Sequence, residues 1–163
     1  MDLEIVKIKN PDSLNLIFGQ SHFIKTVEDL HEALMAAVPN IKFGLAFAEA
    51  SGPCLTRSSG TDKKLVKLAE ENILKIGAGH SFLIFLKNCF PINVLSSIRQ
   101  TAEVCQIFCA SANPVEVVIC QTKNGRAVLG VVDGQSPQGI EKAKQRKQRK
   151  EFLRQIGYKL GND

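Results

Sequence analysis

The stretch IKFGLAFAEASGPCLTRSSGTDKKLVKLAEENILKIGAGHSFLIFLK, residues 41–87, decides the fold. Residues 41–50 are almost all apolar, which is typical of a central strand that is covered on both faces. Apolar side chains then recur at helical spacing over residues 62–76, and Gly77 follows as a C-cap, so this segment predicts a helix. Residues 80–87 predict a second buried strand. The order strand, helix, strand indicates an α/β fold.

On the N-terminal side of this stretch, three patterns predict two strands and a helix. Residues 3–9 alternate apolar and polar with a period of two, which predicts a half-buried strand. Residues 15–19 are interpreted as the strand that pairs with it. Thr26, followed by Asp29 in capping-box spacing, predicts that a helix begins there.

On the C-terminal side, the patterns predict a helix, a strand and a hairpin. Pro91 fits the first position of a helix. Residues 103–110 predict a further apolar strand. Asn124-Gly125 lies between two apolar runs, which is the strongest short-range signal for a β-hairpin. We therefore predict one compact α/β domain over residues 1–163, with a mixed β-sheet flanked by helices.

The positive charge of the chain is concentrated in one late segment. Residues 141–154 carry seven Lys or Arg and two Glu, a net charge of +5, and the whole chain also carries +5. We predict that this segment is a solvent-facing helix, within residues 140–156, whose ends are anchored by Ile140, Phe152, Leu153 and Ile156. Nucleic-acid binding through its cations is the less favoured alternative, because the chain has no Trp, one Tyr and no nucleic-acid motif.

The composition excludes several classes of protein. A chain of 163 residues with 44% hydrophobic and 23% charged residues is ordinary for a globular protein, which excludes global disorder. Its apolar stretches are far shorter than the ~18 residues of a membrane span, and its N-terminus has no signal-peptide pattern, so we expect a cytoplasmic protein. The five cysteines are expected to be reduced, with Cys105 and Cys109 as buried thiols.

The segment between the first buried strand and the helix is a polar, glycine-containing loop that suits a phosphate group. Such a loop leaves the end of a core strand and enters a helix N-terminus, where α/β proteins bind ligands. Backbone amides of residues 58–61, hydroxyl groups and a guanidinium would together bind phosphate. The candidates are Glu49, Ser51, Arg57, Ser58, Ser59 and Gly60. A surface loop with ordinary caps remains the alternative.

A second loop, Gly77-Ala78-Gly79-His80-Ser81, places one imidazole between a helix end and a strand start. The glycine pair lets the backbone approach a ligand closely, so Gly79 and Ser81 are candidate contacts. His80 is suited to act as a general base or as a nucleophile that carries a phosphoryl group. A histidine that is hydrogen-bonded to a carbonyl remains the structural alternative.

Two further loop ends carry polar groups. They contribute Asn113, Pro114 and Asp133 as candidate nucleotide contacts. Glu49, Asp62 and Asp133 are candidate ligands for Mg²⁺, which usually takes one or two carboxylates together with phosphate oxygens. Each carboxylate by itself is more often a cap or a solvated residue.

Six segments carry a family resemblance. They are residues 47–55 (FAEASGPCL), 57–62 (RSSGTD), 77–82 (GAGHSF), 90–95 (FPINVL), 112–117 (ANPVEV) and 130–134 (GVVDG). Together, and in this order, they resemble the motifs of the adenosine-specific kinase family, a small prokaryotic and largely archaeal conserved domain. The resemblance extends from about residue 3 to the terminal Gly157-Tyr158-Lys159-Leu160.

The resemblance implies a compact α/β domain that assembles as a homotrimer, binds adenosine or AMP and transfers a phosphoryl group. It implies that His80 can be phosphorylated, and we predict His80 and Asp62 as catalytic residues. ATP or another nucleoside triphosphate is the expected donor, with Mg²⁺. Two mechanisms stay open: transfer through a phosphohistidine, or direct transfer with His80 as general base. The competing hypothesis is a non-catalytic sensor that binds AMP without consuming ATP.

Overall fold

Two antiparallel sheets and four helices form the fold in the computed structural model, which describes residues 2–159 and 161. The strands are β1 (Asp2–Lys7), β2 (Asn15–Ser21), β3 (Phe43–Ala48), β4 (Thr56–Gly60), β5 (Ser81–Leu86), β6 (Val104–Ser111), β7 (Val115–Gln121) and β8 (Arg126–Asp133). The helices are α1 (Thr26–Ala37), α2 (Lys63–Ile76), α3 (Pro91–Gln100) and α4 (Ala143–Gln155). The predicted α/β class is confirmed.

The larger sheet, in the order β4-β3-β5-β2-β6, lies at the centre of the fold. One of its faces packs against α2 and the smaller sheet, β1-β7-β8, in a core that includes Phe18, Ile73 and Val117. Its other face packs against α1 and α3. Covering on both faces explains why β3 and β5 are apolar without alternation.

Helix α2 begins and ends as its sequence predicts. The carboxylate of Asp62 accepts hydrogen bonds from the amides of Lys64 and Leu65, which makes it the N-cap. Gly77 ends the helix in the left-handed conformation, with φ of 64°. The helix packs directly on β3 at Gly44, where an added Cβ would overlap the backbone of Leu65.

The predicted strand pairing differs from the structure. Every ladder between the described strands is antiparallel, and the strands form two sheets rather than one mixed sheet. The pairing of residues 3–9 with 15–19 is wrong, since β1 pairs with β7 and β2 lies between β5 and β6. Residues 15–19 are nearly all buried and so belong in the central sheet, whereas β1 is mostly exposed.

Two local predictions also need correction. Residues 56–60, expected within a loop, form the edge strand β4, which pairs with β3 from Thr56 to Gly60. Thr26 is not a cap: Lys25 holds that position, and the buried Thr26 hydroxyl donates to the carbonyl of Phe23. The hydroxyl therefore stabilises the turn before α1 rather than the helix amides.

The hairpin and the basic helix form where they are predicted. Residues 122–125 connect β7 to β8, which confirms the Asn-Gly turn. α4 has no buried residue, and the anchoring prediction is wrong: Ile140, Phe152 and Ile156 are 94%, 56% and 46% exposed, and Leu153 is only half-buried. No helix in the described part of the chain is both long and apolar enough to cross a membrane.

The cysteines are all free thiols, but one of the two burial predictions is wrong. Cys109 is buried, whereas Cys105 is exposed. Both lie on β6, the edge strand of the larger sheet, whose first half is mostly solvent-facing. Burial raises the pKa of the Cys109 thiol to about 11, so it stays protonated at neutral pH.

Candidate functional site

Three side chains converge at one end of the larger sheet. Glu49 follows the last residue of β3, Arg57 lies near the start of β4, and His80 immediately precedes β5. Nε2 of His80 lies 3.2 Å from Oε1 of Glu49, and Nη2 of Arg57 lies 3.3 Å from Oε2 of the same carboxylate. We call Glu49, Arg57 and His80 the carboxylate–histidine cluster.

The backbone holds His80 in an uncommon conformation. Its φ is 60°, in the left-handed region that few residues other than glycine adopt, at a cost of about 1–3 kcal/mol. Its amide donates to the carbonyl of Ala48 at 2.6 Å, and its carbonyl accepts from the amide of Ser21 at 3.0 Å. The ring stacks on Phe47 with centroids 5.8 Å apart. The fold thus retains a strained residue whose side chain is still 32% exposed.

Glu49 is a buried carboxylate with many hydrogen-bond donors. Its side chain is 6% exposed, and Oε1 accepts from the Ser51 hydroxyl at 2.9 Å and the Ala50 amide at 2.9 Å. The Ser51 hydroxyl lowers the pKa of Glu49 below its ordinary value, burial opposes this, and the Ala50 amide and His80 lower the pKa further. Glu49 is therefore ionised at neutral pH.

An ionised Glu49 determines which nitrogen of His80 is available for chemistry. In a neutral imidazole that donates through Nε2–H to the carboxylate, the lone pair lies on Nδ1. Within the described part of the chain, Nδ1 of His80 has no hydrogen-bond partner. Nδ1 can therefore accept a proton or attack an electrophile.

Arg57 is held on two sides but keeps free donors. Nη1 donates to the carbonyl of Ile24 at 3.2 Å, while Nη2 faces Glu49. The side chain is 37% exposed, and a guanidinium has five N–H donors. The remaining donors can bind an anion that reaches His80.

A groove of about 500 Å³ opens beside the cluster. Glu49, Gly79, Cys54 and Thr56 line one part of the groove. Thr122 and residues 124–127, from the turn between β7 and β8 and the start of β8, line another part, which we call the hairpin wall. Ile73 and Leu74, in the last turn of α2, also line the groove. Gly79 is needed here, because an added Cβ would lie 2.7 Å from the Cβ of Ala50.

The hydroxyl and amide groups of the predicted phosphate loop do not converge on one point as expected. The hydroxyl of Ser58 donates to Glu70, and that of Ser59 lies 2.8 Å from Nδ1 of His31. In an edge strand such as β4, only alternate amides point away from the sheet, so residues 58–60 do not present consecutive amides to a ligand. Of the segment from Ser51 to Gly60, the structure places Ser51 and Arg57 on Glu49.

Asp62 is far from His80. The amide of Asp62 donates to the carbonyl of Phe43, whereas the amide of His80 donates to Ala48, at the other end of β3. Five residues of strand span about 17 Å. Asp62 caps α2 in this position, and the structure does not bring it to the histidine.

Asn113, Pro114 and Asp133 form a separate cluster. Oδ1 of Asp133 accepts from the Ser111 hydroxyl at 2.5 Å and from Nδ2 of Asn113 at 3.1 Å. The carbonyl of Pro114 accepts from the amide of Gly134. Ser111 pairs with Leu16 of β2, whereas Ser81, next to His80, pairs with Gln20 of the same strand. Four residues of strand span about 13 Å, so this cluster lies at the other end of the larger sheet from His80.

The Gly-Ala-Gly-His-Ser turn stabilises itself through Ser81. Its side chain is buried, and its hydroxyl donates to the carbonyl of Ala78 at 2.6 Å. This bond closes the turn beneath His80. Ser81 therefore positions the histidine backbone in this structure.

The three predicted magnesium ligands do not converge. Glu49, Asp62 and Asp133 lie in three different clusters, and Glu49 already accepts several hydrogen bonds. No group of three His, Cys, Asp or Glu side chains suited to a metal ion occurs among the described residues. The residues present do not fit a protein-held Mg²⁺. An ion bound to the oxygens of a triphosphate would enter as part of the substrate.

Sequence reasoning missed the partner of the histidine and the second wall of the groove. The sequence predicts Glu49 as a phosphate or metal contact, whereas in the structure its carboxylate lies against His80. The turn at residues 122–127 carried only a hairpin signal. Its place beside the groove depends on a long-range contact, the isolated bridge between Ala78 and Arg126, which no local pattern indicates.

Comparison with known proteins agrees with this architecture. The model of the family described as adenosine specific kinase matches residues 6–159. The crystal structure of the PH1918 protein from Pyrococcus horikoshii OT3 is similar, with a TM-score of 0.94 and 48% sequence identity, covering 98% of this chain and 99% of that one. No curated protein matches the chain. Since the family model spans nearly the whole chain, this protein belongs to the adenosine-specific kinase family.

Proposed function

We propose that this protein phosphorylates adenosine to AMP, with a nucleoside triphosphate as donor and His80 as the reacting group. The observation that carries the proposal is the contact between the ionised Glu49 and Nε2 of His80, with Arg57 on the second carboxylate oxygen. Backbone strain at a partly exposed histidine beside a groove supports a functional role. Family membership supports adenosine as the substrate.

In the proposed covalent route, Nδ1 of His80 attacks the terminal phosphorus of the triphosphate. A nitrogen–phosphorus bond forms, the bond to the bridging oxygen breaks, and the nucleoside diphosphate leaves. The ring is then an imidazolium that keeps its Nε2–H toward Glu49, whose negative charge stabilises it. The 5′-hydroxyl of adenosine next attacks the phosphorus. The bonding pair returns to Nδ1, which accepts the hydroxyl proton and later passes it to water.

Direct transfer is the alternative route, and it uses the same nitrogen. Nδ1 would accept the proton of the 5′-hydroxyl while the adenosine oxygen attacks the donor phosphate. In both routes we assign Arg57 the stabilisation of the negative charge that develops on the transferred group; its contact with Glu49, the partner of His80, supports this role. Glu49 holds the required tautomer in both.

Intact-mass measurement separates the two routes and tests the function. Incubation of the wild-type protein with ATP and Mg²⁺ is expected to add one acid-labile phosphoryl group, which adenosine removes as AMP appears. His80→Asn should give neither adduct nor AMP. Asparagine tolerates the left-handed backbone and offers a nitrogen for hydrogen bonding, but it cannot carry phosphate. His22→Asn, an exposed histidine outside the cluster, is the matched control.

Each outcome has a defined meaning. AMP formation without any adduct in the wild type would favour direct transfer. Binding of AMP without consumption of ATP would favour the sensor hypothesis. Full turnover in His80→Asn would refute both routes.

We also propose that the protein assembles as a homotrimer. The outer face of the smaller sheet supports this assembly, because Leu3, Ile5 and Leu129 are 72%, 59% and 60% exposed. Apolar side chains gathered on one sheet face are typical of a protein interface. Light scattering that gives the mass of one chain at micromolar concentration would refute the proposal.

A further inference from the structure

The hairpin wall belongs to the same groove as Glu49 and Gly79 and is made by the turn between β7 and β8. Thr122, Asn124, Gly125, Arg126 and Ala127 line the groove on this side. The turn is more than 40 residues away from His80 along the chain, yet it borders the groove that is also lined by Glu49, the partner of His80, and by Gly79, the residue before it. A ligand whose reacting end lies at the carboxylate–histidine cluster would therefore present its other end to this wall.

The wall is held in place by Arg126. Its Nη1 donates to the carbonyls of Lys75 and Ile76 at 2.9 and 3.3 Å, at the C-terminus of α2. Nη2 donates to Glu4 at 2.8 Å, and Nε donates to Gln121 at 2.8 Å. Because the end of α2 leads directly into the turn that carries His80, these bonds fix the distance between the histidine and the hairpin.

One polar side chain of the hairpin tip remains available to a ligand. The Thr122 hydroxyl donates to the carbonyl of Gly125 and accepts from the amides of Asn124 and Gly125, so it is used within the turn. The carboxamide of Asn124, in contrast, has no hydrogen-bond partner in the described part of the chain, and Asn124 lines the groove. It offers one acceptor and two donors at the hairpin wall.

We propose that Asn124 recognises the 6-aminopurine ring of the acceptor nucleoside and so determines the preference for adenosine. This inference rests on the proposed function, since it places the ribose 5′-hydroxyl at His80 and the base at the hairpin. A carboxamide accepts from the N6 amino group and donates to N7 in the bidentate pairing that proteins use for adenine. A 6-oxopurine presents an acceptor at both positions, so one of the two bonds is lost.

The test compares the binding of adenosine and inosine by calorimetry, which does not depend on turnover. The wild-type protein is expected to favour adenosine by about tenfold, the discrimination typical of one bidentate pair. Asn124→Ala should lose most of this preference by weakening adenosine binding. Asn124 does not have a positive φ, so alanine fits its backbone. Lys123→Ala, in the same turn but not in the groove wall, is the control and should keep the preference.

A second arm distinguishes the acceptor from the donor, because ATP carries the same ring. The rate of His80 phosphorylation by ATP divided by the rate with ITP should be the same in Asn124→Ala as in the wild type. A change confined to this donor ratio would overturn the assignment to the acceptor. An unchanged adenosine preference in Asn124→Ala, or a wild type that binds neither nucleoside, would also overturn it. If the wild type prefers adenosine, Asn124→Ala loses this preference and no AMP is formed, the inference about Asn124 is upheld and only the proposed function is refuted.

Discussion

Nε2 of His80 and Oε1 of Glu49 lie 3.2 Å apart, which couples a strained histidine to a buried, ionised carboxylate. The contact joins the end of β3 to the start of β5, two adjacent antiparallel strands. Since the strands fix both backbones, the imidazole is oriented before any substrate binds. Preorganisation of this kind lowers the cost of reaching the transition state.

Glu49→Gln is expected to lower kcat by about 100-fold or more, because a carboxamide can donate to Nε2 and so favour the wrong tautomer of His80. KM for adenosine should change little, since Glu49 acts through the histidine. Steady-state kinetics over a range of pH would measure both. Glu151→Gln, an exposed glutamate on α4, is the control. An unchanged kcat in Glu49→Gln would show that the reaction does not depend on the tautomer of His80 that Glu49 favours.

The stability of the fold should depend on pH through Glu49. Its pKa in the folded protein lies below the ordinary value of 4.5, so the folded state favours the charged form. The resulting stabilisation is fully present above pH 4.5 and is lost as the pH falls through the folded pKa. Urea unfolding of wild type and Glu49→Gln should therefore show a gap that narrows on acidification. A gap independent of pH would contradict this account.

Arg57→Ala should weaken AMP binding by about 1.5–3 kcal/mol, the usual contribution of hydrogen bonds to a charged group. Calorimetric titration with AMP measures the loss, and adenosine, which has no phosphate, should bind almost as before. Arg57→Lys retains the positive charge but not the planar guanidinium, so its affinity for AMP should lie between that of the wild type and that of Arg57→Ala. Equal AMP affinity in Arg57→Ala and wild type would remove Arg57 from the phosphate site.

Gly79→Ala should reduce activity by moving the Glu49 segment. The added Cβ would lie 2.7 Å from the Cβ of Ala50, and neither atom can rotate away. Ala50→Gly removes the second atom, so the double variant Gly79→Ala/Ala50→Gly should regain much of the lost kcat. A double-mutant cycle measures this coupling. Additive losses in the two single variants would show that the contact does not limit activity.

Local signals in the sequence account for much of the fold. The helix predicted over residues 62–76 forms as α2, Gly77 ends it as its capping chemistry predicts, and the Asn-Gly pair forms the hairpin. β4 could not be recognised, because Thr-Arg-Ser-Ser-Gly has no apolar alternation and forms a strand through its long-range pairing with β3. Such pairing depends on tertiary context rather than on local propensity.

The candidate site was predicted residue by residue but not as an arrangement. His80 was identified from the glycines around it, and Arg57 from its loop. Their common partner is Glu49, which follows a buried strand. Its position in the sequence indicates that a polar group lies at the end of that strand, but not which side chain the carboxylate contacts. Only the antiparallel pairing of β3 with β5 shows that its carboxylate faces the imidazole.

At His80, the stability of the fold and the proposed reaction favour different residues, because the backbone is left-handed and the reaction requires an imidazole. Glycine adopts φ near 60° without the steric cost that a Cβ brings, so His80→Gly is expected to unfold at a higher temperature than the wild type while losing phosphoryl transfer. A selection for thermal stability alone would therefore drive this position away from histidine. Its retention in a natural sequence would then measure selection for the reaction itself, separately from selection for folding.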